Sequence, residues 1–257
     1  MNAMTPARQQ VALVTGGAKR IGRTIALALA RDGWDVAVHY GRSRDEALAL
    51  VTEITALGRR AVALQCELAD ETAVRALVGQ AGQLGPVACV VNNASLFRND
   101  QADSFSATSL DLHMRANVAA PVLLAQALYA ATSEGKQAVV INLLDQKLYN
   151  PNPDFLSYTL SKAALQSATT LLAQALAPKV RVVGVAPGIT MMSGDQSVEE
   201  FEKAHRVTPL GKSSTPDDVA AAVCFLASSA AITGTTILVD GGQHLIPLQR
   251  DVMFLTR

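Results

Sequence analysis

Short apolar runs alternate with longer amphipathic stretches along most of this chain, and no other feature of the sequence constrains its fold as strongly. The apolar runs have the length and composition of buried strands, whereas the amphipathic stretches have the length of helices. A strand, a helix and a second strand in this order form a βαβ unit with parallel strands. The alternation therefore predicts an α/β fold with a doubly wound parallel sheet and helices on both faces.

The ends of the apolar runs, together with glycines and prolines that end helices, set the expected boundaries. Seven strands are predicted, at Val11–Val14, Val36–His39, Ala61–Gln65, Val87–Asn92, Ala138–Leu144, Arg181–Ala186 and Thr236–Val239. Six helices are predicted, at Arg20–Asp32, Arg44–Leu57, Glu71–Gln83, Leu110–Ala131, Ser157–Leu176 and Pro216–Ser228. Because no repeat, linker or low-complexity segment divides the chain, we expect residues 1–257 to form a single domain.

Charge and composition narrow the class of partner. The 257 residues include 22 Lys and Arg and 22 Asp and Glu, so no net charge attracts nucleic acid or an anionic membrane. No apolar stretch reaches the roughly 20 residues of a membrane span, and the polar N-terminus lacks the apolar segment of a secretory signal. The three cysteines and four histidines have no metal-binding spacing, which predicts no metal site. We expect a cytoplasmic protein that acts on small molecules.

A turn that contains glycines joins the first predicted strand to the first predicted helix. Thr15 and Gly16 follow the strand, and Gly22 lies in the first turn of the helix. Glycines let the backbone approach a pyrophosphate, and the unpaired N–H groups of a helix N-terminus favour negative charge. The turn predicts a dinucleotide site; the alternative is an ordinary connection between a strand and a helix.

Tyr158 and Lys162 lie four positions apart in a predicted helix, and Asp145 follows the fifth apolar run. Residues at this spacing share a helix face, so that the ammonium group can favour the phenolate and lower the phenol pKa. A phenol tuned in this way donates a proton near neutral pH. Asp145 lies at the carboxyl end of its strand, where ligands bind in doubly wound sheets. A solvated helix face without chemistry is the alternative for the pair alone.

Taken in order, these residues resemble the short-chain dehydrogenase/reductase family over most of the chain. The matching residues are Thr15, Gly16 and Gly22, then Asn92, Asn93 and Ala94, then Asn117, Tyr158, Lys162, Pro187 and Gly188, and finally Val239, Asp240, Gly241 and Gly242. The resemblance implies a Rossmann-type fold and a nicotinamide cofactor. It also implies catalytic roles for Tyr158, for Lys162, and for Asn117, which in this family holds a water next to the lysine.

Several positions depart from the general family pattern and point to one branch of it. Arg20 replaces the middle glycine of the turn, Ser95 replaces the glycine after Asn-Asn-Ala, and Asp145 stands where the catalytic serine belongs. With Phe97, these residues resemble the pteridine reductases, in which the aromatic ring stacks on the pterin. The resemblance implies hydride transfer from NADPH to a pterin ring. The expected substrate is a dihydropteridine such as dihydrobiopterin, or dihydromonapterin, or dihydrofolate. Tyr158 and Asp145 are then expected to assist protonation.

The residues after the second strand predict which cofactor is used. NAD-dependent enzymes place an acid there, about 20 residues past the glycine turn, to bind the ribose diol. This chain has Arg42 and Ser43 instead, which suit a 2′-phosphate. NADPH is therefore expected, although a solvated turn is the alternative for Arg42. Glu67, after the third strand, is expected to contact the adenine; an exposed loop acid is the alternative.

The resemblance assigns two overlapping sets of contacts. The expected cofactor-binding residues are Thr15, Gly16, Lys19, Arg20, Ile21, Gly22, His39, Tyr40, Arg42, Ser43, Glu67, Leu68, Asn93, Ala94, Ser95, Leu143, Tyr158, Lys162, Pro187, Gly188 and Ile189. The expected substrate-binding residues are Arg20, Ser95, Phe97, Asp145, Tyr158, Met191 and Met192. For Phe97, Met191 and Met192, burial in the core is the alternative.

Two segments near the C-terminus complete the expectations. Residues 189–214 stand where this family has a substrate lid, and long loops of this kind commonly move. The apolar side chains of residues 245–257 predict burial against another subunit of a homo-oligomer, a tetramer or a dimer. Arg257 either reaches a neighbouring site or is solvated.

Two other functions stay open: reduction of a non-pterin carbonyl of ketoacyl, sugar or steroid type, and NADP sensing without turnover.

Overall fold

The computed structural model describes residues 10–192, 197–251 and 254. Its centre is a sheet of seven parallel strands in the order β3-β2-β1-β4-β5-β6-β7. The strands are β1 Val11–Val14, β2 Asp35–Tyr40, β3 Ala61–Gln65, β4 Val87–Asn92, β5 Ala138–Leu143, β6 Val180–Pro187 and β7 Thr236–Val239. The predicted doubly wound parallel sheet is confirmed, with strand ends that differ from the predicted ones by at most one residue.

Eight α-helices surround the sheet in the described part of the chain. They are α1 Arg20–Arg31, α2 Arg44–Ala56, α3 Glu71–Ala81, α4 Ala107–Met114, α5 Ala120–Ala131, α6 Leu156–Leu176, α7 Val198–Arg206 and α8 Pro216–Ser228. A π-helical turn, Arg115–Ala119, joins α4 to α5 within the stretch predicted as one helix. The sequence prediction missed α7 in the lid because it has few apolar residues, although Ser197 and Glu200 form a capping box at its start.

Apolar residues pack on both faces of the sheet. One cluster joins the sheet to α1, α2 and α8 through side chains such as Ile25, Ile54 and Leu226. The other joins it to α3 and α5 through side chains such as Leu77 and Leu124. Full burial of each such side chain stabilises the fold by about 1.5–3 kcal/mol. Strands covered on both faces need nearly continuous apolar runs, which explains why the sequence signal was so clear.

The strand order reverses direction between β1 and β4, and this reversal positions the site. The chain proceeds from β1 outward to β3 and then returns to place β4 on the other side of β1. In such sheets a crevice opens beyond the carboxyl ends of the strands at the reversal.

None of the helices described for this chain is long and apolar enough to cross a membrane.

Candidate active site

The glycine turn is fixed by hydrogen bonds between the ends of β1 and β4. Thr15 Oγ1 accepts from the backbone N–H groups of Asn93 and Ala94 at 3.0 and 3.1 Å. Asn93 Nδ2 donates to the carbonyls of Thr15 and Gly16 at 2.9 and 3.1 Å. At Gly22, an added Cβ would lie 2.3 Å from the Gly16 carbonyl oxygen, so only glycine fits. The backbone of the turn therefore lies too close to the first turn of α1 for a side chain at Gly22.

His39 supports this turn from behind. Its ring is buried; Nδ1 accepts from the Gly16 N–H at 3.0 Å, and Nε2 donates to the Cys66 carbonyl at 3.0 Å. Burial lowers the pKa of His39 below its usual 6.5, which keeps Nδ1 available as an acceptor. Both ring nitrogens bond to protein groups, so His39 orients the loop, and its predicted contact with the cofactor stays a prediction.

Tyr158 and Asp145 meet at the carboxyl end of β5. The Tyr158 hydroxyl donates to Asp145 Oδ2 at 2.7 Å, and Asp145 Oδ1 accepts from the Lys147 backbone N–H at 2.8 Å. The latter bond caps a short 3₁₀ turn that begins directly after Asp145. The carboxylate is thereby fixed at a strand end with one oxygen directed at the phenol.

The pKa shifts of these groups differ from those expected from the sequence. Burial, followed by the charge of Asp145, raises the pKa of Tyr158 well above its usual value of 10. Lys162 Nζ donates to the Leu143 carbonyl at 2.7 Å and lies 5.7 Å from the centroid of the Tyr158 ring. The predicted lowering of the phenol pKa by Lys162 is therefore wrong. Tyr158 holds its proton at neutral pH, while burial also raises the pKa of Asp145 and lowers that of Lys162 to about 8.

Asn117 lies in the π-helical turn, and its side chain hydrogen-bonds groups of Ser95, Leu96 and Ser161. Its Oδ1 accepts from the Leu96 N–H at 2.7 Å and from Ser95 Oγ at 3.3 Å. Its Nδ2 donates to the Leu96 carbonyl at 2.9 Å and to Ser161 Oγ at 3.0 Å. The side chain thus ties the Ser95 loop to α6, the helix that carries Tyr158. π-Helical turns are frequent at functional sites.

Asp100, which the sequence reading missed, anchors the start of α6. Its Oδ1 accepts from the Ser157 N–H at 2.9 Å, and its Oδ2 accepts from the hydroxyls of Ser157 and Ser109. The buried carboxylate satisfies N–H and O–H groups of the first turn and places negative charge at the positive end of the helix dipole. The next residue is Tyr158, so Asp100 positions the phenol. No sequence motif marks an acid at this position.

A cavity of about 240 Å³ opens above these groups. The predicted site residues that line it are Arg20, Ile21, Asn93, Ser95, Phe97, Leu143, Asp145, Tyr158, Lys162, Pro187, Gly188, Ile189 and Met191. The sequence reading did not select the other lining residues, Leu144, Gln146, Lys147, Thr190, Gln243 and Asp251. Most of them are neighbours in sequence of residues that the motifs do mark, such as Asp145, Ile189 and Gly242, and Asp251 is a charge within an apolar tail.

The remaining predicted residues lie outside the cavity. They are Thr15, Gly16, Lys19, Gly22, His39, Tyr40, Arg42, Ser43, Glu67, Leu68, Ala94, Asn117 and Met192. Arg42 and Glu67 are exposed after β2 and β3, at the same edge of the sheet as the cavity. Lys19 pairs with Glu46 on α2 and is also exposed.

Comparison with known proteins places this arrangement in a family. Residues 16–244 match a family model described as enoyl-(acyl carrier protein) reductase, which represents short-chain dehydrogenases/reductases. The chain belongs to the short-chain dehydrogenase/reductase family. The resemblance inferred from the motifs is thereby confirmed at the family level.

Three known members of the family, two of them solved structures, match nearly the full chain. The FolM alternative dihydrofolate reductase 1 of Brucella suis, solved with NADP, is 42% identical over 92% of this chain and 96% of its own, with a TM-score of 0.89. A short-chain dehydrogenase of Burkholderia cenocepacia J2315, also solved with NADP, is 34% identical over 94% and 99%, with a TM-score of 0.84. The 3-oxoacyl-(acyl carrier protein) reductase FabG of Staphylococcus aureus is 33% identical over 91% of this chain and 98% of its own.

One departure from the family pattern, Arg20, contacts the segment predicted as a lid. Arg20 has a left-handed backbone with φ 53°, a conformation that glycine adopts more readily. Its guanidinium donates to the Met192 carbonyl at 2.8 Å, which links the glycine turn to the start of segment 189–214. The strained position is therefore occupied by a side chain that reaches across the cavity mouth.

Phe97 is part of an aromatic stack beside Tyr158. Its ring lies 4.3 Å from that of Phe155, nearly parallel, and meets the ring of Tyr158 edge-on at 4.7 Å. Phe97 is nevertheless 41% exposed and lines the cavity. An aromatic ring held on one side by the core and open to the cavity can receive a flat ligand.

The C-terminal tail packs in part on its own chain. Arg250 pairs with Asp154 at 2.8 Å, and the ring of Phe254 stacks near that of Phe155 at 5.9 Å. Leu245 is exposed, and the burial of the tail against another subunit stays a prediction. The homo-oligomer stays a prediction, and Arg257 lies outside the described residues.

Proposed function

We propose that this chain is an NADPH-dependent reductase that transfers hydride to a pterin ring of the dihydrobiopterin, dihydromonapterin or dihydrofolate type. The observation that carries the proposal is the hydrogen bond of 2.7 Å from the Tyr158 hydroxyl to Asp145. A serine in this place has a hydroxyl, whereas a carboxyl group can accept hydrogen bonds from ring N–H groups and also exchange a proton. Reduction of a ring C=N bond requires such proton delivery to nitrogen.

The known relatives support different parts of this proposal. Both solved relatives described above carry NADP, which supports an NADP-dependent oxidoreductase. The relative with 42% identity is an alternative dihydrofolate reductase, which supports a pterin ring as substrate. The relative with 33% identity reduces 3-oxoacyl groups, and it supports a carbonyl reductase as the second candidate.

The residues present fit a nicotinamide cofactor. The turn after β1 has no room for a Cβ at Gly22 and leaves the backbone of Gly16 in a left-handed conformation, as a phosphate cradle requires. The cavity continues from Arg20 and Ile21 at this turn to Tyr158. Gly16 and Arg20 would hold the phosphates, and Ile189 would border the nicotinamide.

The proposed chemistry divides between cofactor and protein. NADPH supplies the hydride when bound. Tyr158 gives its hydroxyl proton to the ring nitrogen next to the reduced carbon, and the buried ammonium of Lys162 stabilises the charge left on the phenol oxygen. Asp145, whose pKa burial raises, can hold a proton and return it to Tyr158 through their hydrogen bond. Phe97 orients the ring of the substrate.

Replacing Arg42 with alanine is expected to lower kcat/KM for NADPH by about 10–100-fold and to leave the value for NADH nearly unchanged. The reason is that only NADPH carries the 2′-phosphate that the guanidinium would pair with. Steady-state kinetics with both cofactors measures the effect. Arg75→Ala, which removes an exposed arginine on α3, is the matched control. A wild-type preference for NADH would contradict the assignment.

Replacing Phe97 with alanine is expected to raise the KM for a dihydropterin about tenfold through lost stacking. The dissociation constant of NADPH, measured by its fluorescence, should stay the same because Phe97 is not expected to touch the cofactor. Phe105→Ala, which removes a similarly exposed phenylalanine that does not line the cavity, is the control. An unchanged substrate KM in Phe97→Ala would count against stacking.

A substrate panel tests the proposed function. NADPH oxidation is followed with dihydrobiopterin, dihydromonapterin, dihydrofolate, a 3-oxoacyl thioester and simple ketones. Turnover of at least one dihydropterin is the expected result. Turnover of the carbonyl compounds alone would favour the second candidate, and cofactor binding without any turnover would favour a sensor.

A further inference from the structure

The C-terminal segment 246–251 lies against the connection between β5 and α6, residues 144–155. The guanidinium of Arg250 donates to both carboxylate oxygens of Asp154, at 3.0 and 2.9 Å. The backbone N–H of Asp251 donates to Asp154 Oδ2 at 2.7 Å. Asp154 is 1% exposed, and a buried carboxylate is costly unless it is paired and hydrogen-bonded. The tail therefore supplies the partners that Asp154 needs.

The ionised form of Asp154 depends on these partners. Burial alone would raise the pKa of Asp154, but the bonds from Arg250 and from the Asp251 N–H, with the charges of Arg250 and Lys147, lower it below its usual 3.8. Lys147 Nζ also donates to the Asp154 carbonyl. Both the side chain and the backbone of Asp154 are thus fixed.

Phe155, the next residue, has a backbone conformation that needs such support. Its φ of 56° and ψ of 52° lie in the left-handed region, which is unfavourable for a bulky side chain. Such a conformation persists only where the surrounding structure fixes it. Asp154 precedes it, and on its other side the Leu156 N–H donates to the Asp100 carbonyl at 3.1 Å. The tail therefore helps to hold Phe155 through Asp154.

The ring of Phe155 is the support behind Phe97. Phe155 is 4% exposed, and its ring lies 4.3 Å from that of Phe97 at an interplanar angle of 16°. Phe97 lines the cavity, whereas Phe155 does not. The ring of Phe254, from the tail, lies 5.9 Å from that of Phe155 and is also nearly parallel to it. The position of the Phe97 ring therefore depends on where Phe155 is held.

We propose that Asp154 and Arg250 are positioning residues that hold the ring of Phe97 in place through Phe155. We call Asp154, Arg250 and the Asp251 N–H the tail clamp. This inference rests on the proposed pterin reduction, in which Phe97 stacks on the substrate. The tail clamp acts on substrate binding without touching the substrate.

Tyr158 is held independently of the tail clamp. The Ser157 N–H donates to Asp100 Oδ1 at 2.9 Å, and the hydroxyl of Ser157 donates to the same carboxylate. Asp100 belongs to the loop after β4 and not to the tail. Loss of the tail clamp is therefore expected to weaken substrate binding and to leave the chemical step nearly unchanged.

Kinetics of Arg250→Met with a dihydropterin test this role. The variant removes the guanidinium and keeps much of the length of the side chain. The KM for the dihydropterin is expected to rise about five- to tenfold. The single-turnover rate at saturating substrate and the dissociation constant of NADPH should stay within about twofold of wild type. Arg250→Lys keeps a cation beside Asp154 and should recover part of the loss.

A double variant decides whether the effect passes through the aromatic stack. When Arg250→Met is added to Phe97→Ala, the KM should rise further by less than about twofold, because the ring that the tail clamp positions is already absent. A further rise of the full five- to tenfold would overturn the proposal, as would an equal loss in the single-turnover rate and in NADPH binding. Arg75→Met, which removes an exposed arginine on α3, is the control and should behave as wild type.

Asp154→Asn decides the question if Arg250→Met does not fold. It removes the buried charge together with its need for a cation, and it should raise the KM as Arg250→Met does. Thermal unfolding establishes that each variant is folded.

The outcomes separate this inference from the proposed function. Folded Arg250→Met and Asp154→Asn variants with a wild-type KM would overturn the tail clamp alone, since the wild-type protein would still reduce the dihydropterin. A wild-type protein that reduces no dihydropterin would overturn both the tail clamp and the proposed function.

Discussion

Replacing Tyr158 with phenylalanine should lower kcat for a dihydropterin by about 10²–10⁴-fold. The phenol is buried, keeps its proton at neutral pH and donates at 2.7 Å to Asp145, and we propose it as the proton source of the reaction. Phenylalanine keeps the ring and its edge-on contact with Phe97, and removes only the hydroxyl. Single-turnover kinetics with NADPH already bound measures the loss in the chemical step.

The control for this variant is Tyr129→Phe. Tyr129 is an exposed tyrosine on α5, and loss of its hydroxyl should leave kcat unchanged. The dissociation constant of NADPH should be the same in wild type and in Tyr158→Phe. Residual activity of Tyr158→Phe near the wild-type level would refute the proton role of Tyr158.

Replacing Asp145 with asparagine should lower kcat/KM for a dihydropterin by about 10²-fold. Asparagine can still accept from the Lys147 N–H through its oxygen, but then its NH₂ group faces Tyr158 and the hydrogen bond to the phenol reverses direction. The phenol would accept instead of donating, and no carboxyl group would be present to return a proton. Asp145→Ser, which restores the residue usual in the family, should show a loss of similar size for pterins.

Two comparisons make the Asp145 result specific. Asp111→Asn removes an exposed carboxylate that pairs with Arg115 on the surface, and its kinetics should equal those of wild type. Asp145→Ser should lose less activity toward a 3-oxoacyl thioester than toward a dihydropterin. If both Asp145 variants reduce the pterin as fast as wild type, the carboxylate has no special part in the reaction.

The fold could be predicted from sequence because it depends on burial. Strands such as β4 and β5 are covered on both faces, so every position in them is apolar or internally hydrogen-bonded. The active-site edge could be predicted for the same reason, since Asp145 follows β5 and the carboxyl ends of parallel strands meet at one edge. The family motifs then added Tyr158 and Lys162.

Other features depend on tertiary contacts that no local pattern encodes. The phenol pKa was expected to be low because Lys162 shares its helix face, but burial and the Asp145 charge outweigh a lysine whose ammonium is bound to the Leu143 carbonyl. Asp100 binds the start of α6 from a loop, and Asp251 lines the cavity from the tail; both are far from Tyr158 in sequence. Their roles became visible only when the chain was folded.

A competition experiment with wild-type protein tests whether the site around Asp145 is selective for a pterin ring. Equal concentrations of dihydrobiopterin and a 3-oxoacyl thioester are mixed with NADPH, and the ratio of the two reduced products gives the ratio of their kcat/KM values. We expect the amount of reduced pterin to exceed that of reduced thioester by at least about 10²-fold. Reduction of the thioester at an equal or higher rate would contradict it.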